Sequence, residues 1–414
     1  MKIKQSVGVI FGSRSGEHEV SVISAHQVMA ALETAGYDIL PIYITKEGSW
    51  FAGPALNNIS AFKTKGFNPA NLEGSHRVSM SPDPTVRTLM LHPDEKLGFM
   101  KKAPHLWADV FFPVMHGSFG EDGTLQGLLE LADVPFAGPS TFAAALTMDK
   151  VRTKSVCLDV GIPVLPSVAF SRMAWGQSKD ELLTHAEKLG QYPLFVKPVC
   201  LGSSIGVSRA NNRDELIQGI QTALALDFQV MIEPALTDFI EINCSVMGPP
   251  EVASVCEQPV PRDAVLTFED KYKRGSSSKQ GSKLGGSKDG AKLGGAKSGG
   301  DSSSASGGMA SLDRIIPAPI SEELTKEVQR LAIEVVRATR SSGVCRCDFM
   351  FDTRNEKLYF NEINTIPGSL AFYLWEASGV DFDQLVSRAV DIAFAEYSIR
   401  KETMYSFEAN LLSS

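Results

Sequence analysis

Two strand-like runs, Val344 to Phe351 and Lys357 to Ile363, are separated only by the turn-forming residues Asp352 to Glu356, a spacing that calls for an antiparallel hairpin. Side chains alternate along a strand, so Arg346 and Asp348 share one face while Cys345 and Cys347 point into the apolar side. On the partner run Glu362 and Asn364 share a face, with Leu358 and Phe360 preceding them on it. Brought together, the polar faces would present Asp, Glu and Asn oxygens beside an arginine. Three oxygen donors suit a hard cation, and Mg²⁺ is usually held by one or two carboxylates plus substrate phosphates. The same residues would also serve as surface salt bridges. A site is favoured by the division of the hairpin into a polar and an apolar face. It is favoured too by the stiff turn Thr365-Ile366-Pro367-Gly368, which could aim a backbone N–H at a reacting atom.

The 414 residues allow two or three domains, since single cores rarely grow much past about 250 residues. Ser6 to Phe11, a helix from about Glu19 to Ala35 and Ile39 to Ile44 predict a βαβ opening, and Val110 to Met115 followed by a helix over Thr124 to Ala132 extends it. Residues 57–102 carry Pro and Gly punctuation and predict no clear order. A helical stretch over Thr141 to Val160 leads into a smaller second domain with strands at Leu194 to Lys197, Ile205 to Arg209 and Val230 to Glu233. Strands Glu241 to Met247 and Ala253 to Gln258, an amphipathic helix Glu322 to Ala338 and the hairpin complete the chain. The fold class is α/β at the N-terminus with a more segregated α+β part behind it.

Hydrophobic residues make up 43% and charged residues 21%, which predicts a packed globular protein, and a net charge of -8 disfavours nucleic acid as a partner. The short apolar run at Val7 to Phe11 is too brief for a signal segment, and the expected location is cytoplasmic, with no membrane span. The six cysteines (157, 200, 244, 256, 345, 347) form no CxxC pair and read as small buried hydrophobes. From Gly275 to Gly308 the chain is almost wholly Gly, Ser, Lys, Ala and Asp, and two readings stand: an inert flexible insertion, or part of a lid following Lys271-Tyr272.

A strand that delivers Lys197, followed by Gly202, Ser203, Ser204 and Gly206, would let backbone N–H groups approach phosphate oxygens, although Gly-Ser turns are also frequent between strands. Neither a Walker A pattern nor GxGxxG occurs here, so P-loop and dinucleotide-binding enzymes are disfavoured. Glu233 to Leu236, leaving the small domain, would form an interdomain hinge suited to a nucleotide, with Glu241 available for ribose hydroxyls.

Six segments, in order, resemble the motif series of D-alanine:D-alanine ligases, an ATP-grasp family. They are Gly16-Glu-His-Glu-Val-Ser21, His116-Gly-Ser-Phe-Gly-Glu-Asp-Gly-Thr-Leu-Gln-Gly127, Met148-Asp-Lys150, Lys197-Pro with Gly202-Ser-Ser-Ile-Gly206, Arg346-Cys-Asp348, and Asn361-Glu-Ile-Asn-Thr-Ile-Pro-Gly368. The resemblance implies a substrate domain over 1–140, a central lobe over 141–235, a catalytic lobe over 236–405 with an insertion at 275–311, and a tail at 406–414. It implies ATP, with Lys150 and Lys197 on the phosphates, Glu233, Pro234, Ala235 and Leu236 at the adenine, Glu241 at the ribose and Lys271 on the transferred phosphoryl group. Asp348, Glu362 and Asn364 would hold two Mg²⁺ (or Mn²⁺) ions. Glu17, assisted by Ser203 and Tyr272, would pair with the ammonium of the first D-amino acid, and Arg346 with the Gly368 N–H would form an oxyanion hole. A homodimer is likewise implied. One departure concerns the second substrate: the family pattern reaches a Ser where this chain has Tyr373, so Ser369 or Tyr373 would supply a hydroxyl, or the acceptor would be D-serine, D-lactate or another amine. A non-catalytic nucleotide-binding relative is the third reading, and the complete Arg346, Asp348, Glu362, Asn364 set speaks against it.

Overall fold

A computed structural model describes residues 4–93, 104–260 and 314–404. Lys271, Tyr272 and the Gly/Ser/Lys segment lie outside the described residues.

The first sheet is built on β1 (Ser6–Gly12), which pairs in parallel with both β2 (Asp38–Ile44) and β6 (Val110–Val114). Helix α1 (His18–Thr34) makes the β1–β2 crossover that parallel pairing requires, burying Val22, Ala25, Val28, Met29 and Leu32. A strand not expected from the sequence, β3 (Trp50–Ala52), and the region without a clear order form the edge of this sheet: the short α2 (Ile59–Phe62), β4 (His76–Ser79) and β5 (Met90–Leu91) follow, with β3, β4 and β5 added antiparallel. Helix α3 (Thr124–Leu131) follows β6.

The predicted helical stretch over 141–160 is two helices, α4 (Thr141–Met148) and α5 (Lys150–Asp159). Asp149 separates them: its backbone is extended and its side chain accepts from Arg152 N–H, capping α5. Cys157 and Ile162 anchor this segment in the core of the third sheet.

The second sheet has the order β7 (Val168–Ser171), β10 (Gln229–Pro234), β8 (Leu194–Pro198), β9 (Ser208–Ala210), all antiparallel, with α6 (Arg172–Glu187) and α7 (Arg213–Leu226) covering one face. Strand β9 begins at Ser208 rather than Ile205, because Ser203, Ser204 and Gly206 all adopt positive φ and hold the preceding segment as a loop.

The third sheet runs β13 (Arg314–Ile315), β12 (Val252–Pro259), β11 (Phe239–Gly248), β14 (Gly343–Asp352), β15 (Lys357–Asn364). Helix α8 (Glu322–Thr339) is capped by Ser321 and buries Val328, Leu331, Ala332, Val335, Val336 and Thr339, a three-and-four spacing that lays one stripe on this sheet. Each large apolar side chain of that stripe contributes roughly 1.5–3 kcal/mol when fully buried. The cysteines at 157, 244, 256, 345 and 347 are buried, and all six are free thiols. After a short α9 (Phe372–Glu376), α10 (Phe382–Glu402) returns to the first domain, where Tyr397 and Arg400 donate to the Asp133 and Val134 carbonyls. Among the described residues no helix is long and apolar enough to cross a membrane.

Candidate active site

The hairpin forms as predicted, with one change of register that decides the site. Arg346 pairs with Asn364 and Asp348 with Glu362, but the next pair is Phe349 with Phe360, so Asn361 is left as an extra residue on β15. This β-bulge corrects the expectation that Leu358 and Phe360 share the Glu362 face: both lie in the apolar core with Cys347 and Ile363, while Glu362 turns toward the cleft. A bulge shifts the alternation by one residue, which is how strands re-aim side chains at sites. The displaced Asn361 uses its amide oxygen to accept from Lys197 Nζ at 3.2 Å, linking the small lobe to the large one.

On β14 the Arg346 guanidinium grips Asp348 through two bonds, Nε to Oδ1 at 2.7 Å and Nη2 to Oδ2 at 2.8 Å, and Asn364 Nδ2 reaches Oδ2 at 3.2 Å. Both charged residues are buried. Burial opposes the charge on Arg346, but Asp348 outweighs it and holds the guanidinium protonated more firmly than usual. Glu362 Oε2 lies 3.6 Å from Lys150 Nζ, which also donates to the Leu201 carbonyl at 2.5 Å. The ligating atoms that Asp348, Glu362 and Asn364 can offer a cation are all oxygens, the hard set that Mg²⁺ prefers, and the pairing of β14 with β15 brings the three together.

The second cluster gathers two lysines around one carboxylate near the end of β10. Glu233 is buried at the end of β10 and takes Lys197 Nζ at 2.6 Å and Lys154 Nζ from α5. Burial works against its charge, yet the two ammoniums win and bring its carboxyl down to about 2. Lys154 is a functional candidate that the motifs do not single out. The one signal for it is the four-residue spacing from Lys150, which places both ammoniums on one side of α5. Pro234, Ala235 and Leu236 connect β10 to β11, with Ala235 N–H bonded to the Pro193 carbonyl. Glu241, on β11, lies close enough to strengthen the charge on Lys197.

Glu17, just before α1, is buried and accepts from the Ser203 hydroxyl, so the loop of the small lobe meets the first domain here. Gly117 and Gly202 flank the same carboxylate: a Cβ at either would come within 2.7 or 3.2 Å of Glu17 Oε2. The cleft between these groups is narrow, about 30 Å³, and is lined by Glu121, Lys150, Gly202, Glu362 and Asn364. A larger cavity of about 800 Å³ lies on the first domain among Tyr43, Phe51, Phe62 and Phe67 and holds none of these acid and amide groups.

Beyond the hairpin, Gly368 opens a turn in which Ser369, Leu370 and Ala371 all have φ near +50°. The Ser369 hydroxyl is committed to Gln27 Oε1 at 2.5 Å and is buried. Tyr373 donates to Glu257 Oε1 at 3.1 Å, and the Arg314 guanidinium stacks 3.8 Å from its ring centre while bonding Glu257 Oε2 at 3.1 Å. Burial and the Glu257 charge push the Tyr373 phenol well above its ordinary value.

The motif resemblance meets independent support in known proteins. Residues 6–139 match the D-ala D-ala ligase N-terminus family model, and residues 156–284 and 307–391 match the D-ala D-ala ligase C-terminus model. The D-alanine–D-alanine ligase of Thermosipho africanus is 34% identical over 407 residues, covering 98% of each chain. The solved D-alanine-D-alanine ligase of Coxiella burnetii superposes with a TM-score of 0.73 at 26% identity, covering 96% of each chain, and the VanG D-Ala:D-Ser ligase of Enterococcus faecalis does so with 0.73 at 28%, covering 94% of this chain and 100% of that one. By model matches, by full-length identity and by fold, the chain belongs to the D-alanine–D-alanine ligase family.

Proposed function

We propose that this protein joins two D-alanines into D-alanyl-D-alanine for peptidoglycan synthesis, using ATP and passing through an acylphosphate. The observation that carries this reading is the cross-strand set Arg346, Asp348, Glu362 and Asn364, with Lys150 3.6 Å from Glu362 and with Glu17 near enough to act on the Glu121 carboxyl that lines the same cleft.

A carboxylate does not acylate an amine directly, because its leaving group would be oxide. Phosphorylation makes the leaving group phosphate. The γ-phosphoryl group of ATP transfers to the carboxylate of the first D-alanine, ADP departs, and the amine of the second D-alanine attacks the carbonyl, expelling phosphate and losing a proton. Lys150 and Lys197 neutralise the phosphates, Lys197 exchanging part of its contact with Glu233 for the nucleotide. Glu233 with Pro234, Ala235 and Leu236 lines the adenine side, and Glu241 takes the ribose hydroxyls. Asp348, Glu362 and Asn364 would hold two Mg²⁺ or Mn²⁺ ions, which supply charge neutralisation when bound. Glu17, steadied by Ser203, pairs with the ammonium of the first D-alanine. Arg346 and the Gly368 N–H receive the oxyanion, a contact worth about 3–4 kcal/mol per donor in other enzymes. An acylphosphate hydrolyses readily, so the chemistry requires a cover that excludes water, the role we assign to Lys271 and Tyr272.

A second reading, with an acceptor other than D-alanine, draws support from Tyr373 and its Glu257–Arg314 partners in place of the usual serine hydroxyl. Phosphate release with ATP and a panel of D- and L-amino acids, followed by mass analysis, separates the two. Dipeptide from D-alanine alone supports the first. ADP formed only with a mixed pair supports the second, and no turnover with any pair sinks both.

A further inference from the structure

The segment Thr365–Gly368 carries the proposed oxyanion donor, yet it is held mainly by the first domain rather than by its own sheet. Ile366 is gripped on both sides of its backbone: its N–H donates to Glu121 Oε1 at 3.2 Å, and its carbonyl accepts from His116 Nδ1 at 2.8 Å. The other oxygen of Glu121 accepts from Gly117 N–H at 2.8 Å, which closes the loop on which both residues sit. His116 Nε2 meets Ser24 Oγ at 3.1 Å, and Ser24 Oγ accepts from Ser369 N–H at 3.1 Å. With Nδ1 bound to a carbonyl it must carry the proton, so Nε2 is left to accept the Ser24 hydroxyl hydrogen. The chain of bonds is therefore directional, Ser369 N–H to Ser24 to His116 to the Ile366 carbonyl, and it encloses Pro367 and Gly368 between two fixed peptides.

We propose that His116 and Glu121 are positioning residues that set the Gly368 N–H, so that the loop flanking the first amino acid's site also registers the donor for acyl transfer. This rests on reading Gly368 as the oxyanion donor. Three consecutive non-glycine residues with positive φ follow Gly368, a backbone each of which costs roughly 1–2 kcal/mol in a free chain, so the turn needs external partners to persist. Ser24, Gln27, His116 and Glu121 are those partners. The same loop borders Glu17 through Gly117, which ties the geometry of the donor to the site of the first substrate.

The test separates formation of the acylphosphate from its use. Glu121→Gln keeps size but replaces one of the two accepting oxygens with a nitrogen that cannot accept, orphaning either Ile366 N–H or Gly117 N–H. A donor misplaced by about 1 Å costs on the order of 10²-fold. For Glu121→Gln and His116→Gln, dipeptide kcat should fall by about that factor. KM for ATP should change less than about threefold, and the ratio of phosphate released to dipeptide formed should rise above unity as stranded acylphosphate hydrolyses. Ser24→Ala should show the same pattern more weakly, and Gly368→Pro, which removes the donor itself, should show it most strongly. If ADP formation and dipeptide formation fall together at a ratio of one in the Glu121 and His116 variants while Gly368→Pro uncouples them, the positioning role is wrong and the donor stands. If Gly368→Pro leaves the ratio at one as well, the donor reading itself fails. Amide hydrogen exchange at Ile366, faster in Glu121→Gln with an unchanged melting temperature, distinguishes a local loss from unfolding.

Discussion

The two buried charged clusters, one around Glu233 and one around Asp348, are wired differently. Near the end of β10, one buried carboxylate, Glu233, is shared by two lysines, Lys154 and Lys197. At the hairpin, one carboxylate, Asp348, is claimed by a single arginine through two of its nitrogens, with Asn364 on the side. A lysine ammonium is a point charge on a flexible stem, whereas a guanidinium fork fixes a plane. On the proposed mechanism the Glu233 cluster can therefore lend Lys197 to an arriving phosphate while Glu233 keeps Lys154, whereas the two-bond fork at Asp348 leaves Arg346 less freedom to move.

Four substitutions test the contrast. Glu362→Gln removes a proposed metal carboxylate, and ADP formation should fall by about 10³-fold or more with the fold intact. Arg346→Lys keeps the charge and loses the fork, so dipeptide formation should fall about 10²-fold while Lys197→Arg, at the flexible cluster, is tolerated better. Lys154→Met leaves Glu233 dependent on Lys197 alone. It should lower stability by about 2 kcal/mol in chemical denaturation and raise KM for ATP, because Lys197 is no longer free to leave. Tyr373→Phe removes one bond to a charged acceptor that keeps its Asn243 and Arg314 partners and should cost about 1.5 kcal/mol, with its larger effect on KM for the second amino acid.

Acid should probe the interdomain grip separately. Burial brings the His116 imidazole down to about 4 despite the Ile366 carbonyl, so it stays neutral in the folded protein while an unfolded histidine protonates near 6.5. The unfolded state then binds more protons, and stability is lost as pH falls from about 6.5 to about 4, by up to roughly 3 kcal/mol. His116→Gln should flatten that part of the stability profile measured by denaturant titration.

Most of the strands and their order along the chain are legible because alternation and apolar runs are local, whereas β3, β4 and β5, two to four residues long, are too short to carry such a pattern. The bulge at Asn361 is not legible, since nothing within β15 says that the pairing slips by one residue. It is set by the need to bury Phe360 against Phe349 while Glu362 reaches the cleft. Lys154 is hidden in the sequence because its partner Glu233 lies 79 positions away, and Glu121, although it stands in a recognisable motif, gives no sign of its partner Ile366, 245 positions away. Long-range pairings of this kind have no period. The break at Asp149 was readable in principle, as an N-cap residue between two helical patterns, but the continuous helical composition on either side masks it.

On the mechanism proposed above, this cleft converts a carboxylate into an acylphosphate before the amine arrives. D-alanine labelled with heavy oxygen in its carboxylate tests it directly in a reaction with ATP. One labelled oxygen from each consumed carboxylate should appear in the released inorganic phosphate, in step with dipeptide. Unlabelled phosphate, with dipeptide still formed, would contradict the mechanism.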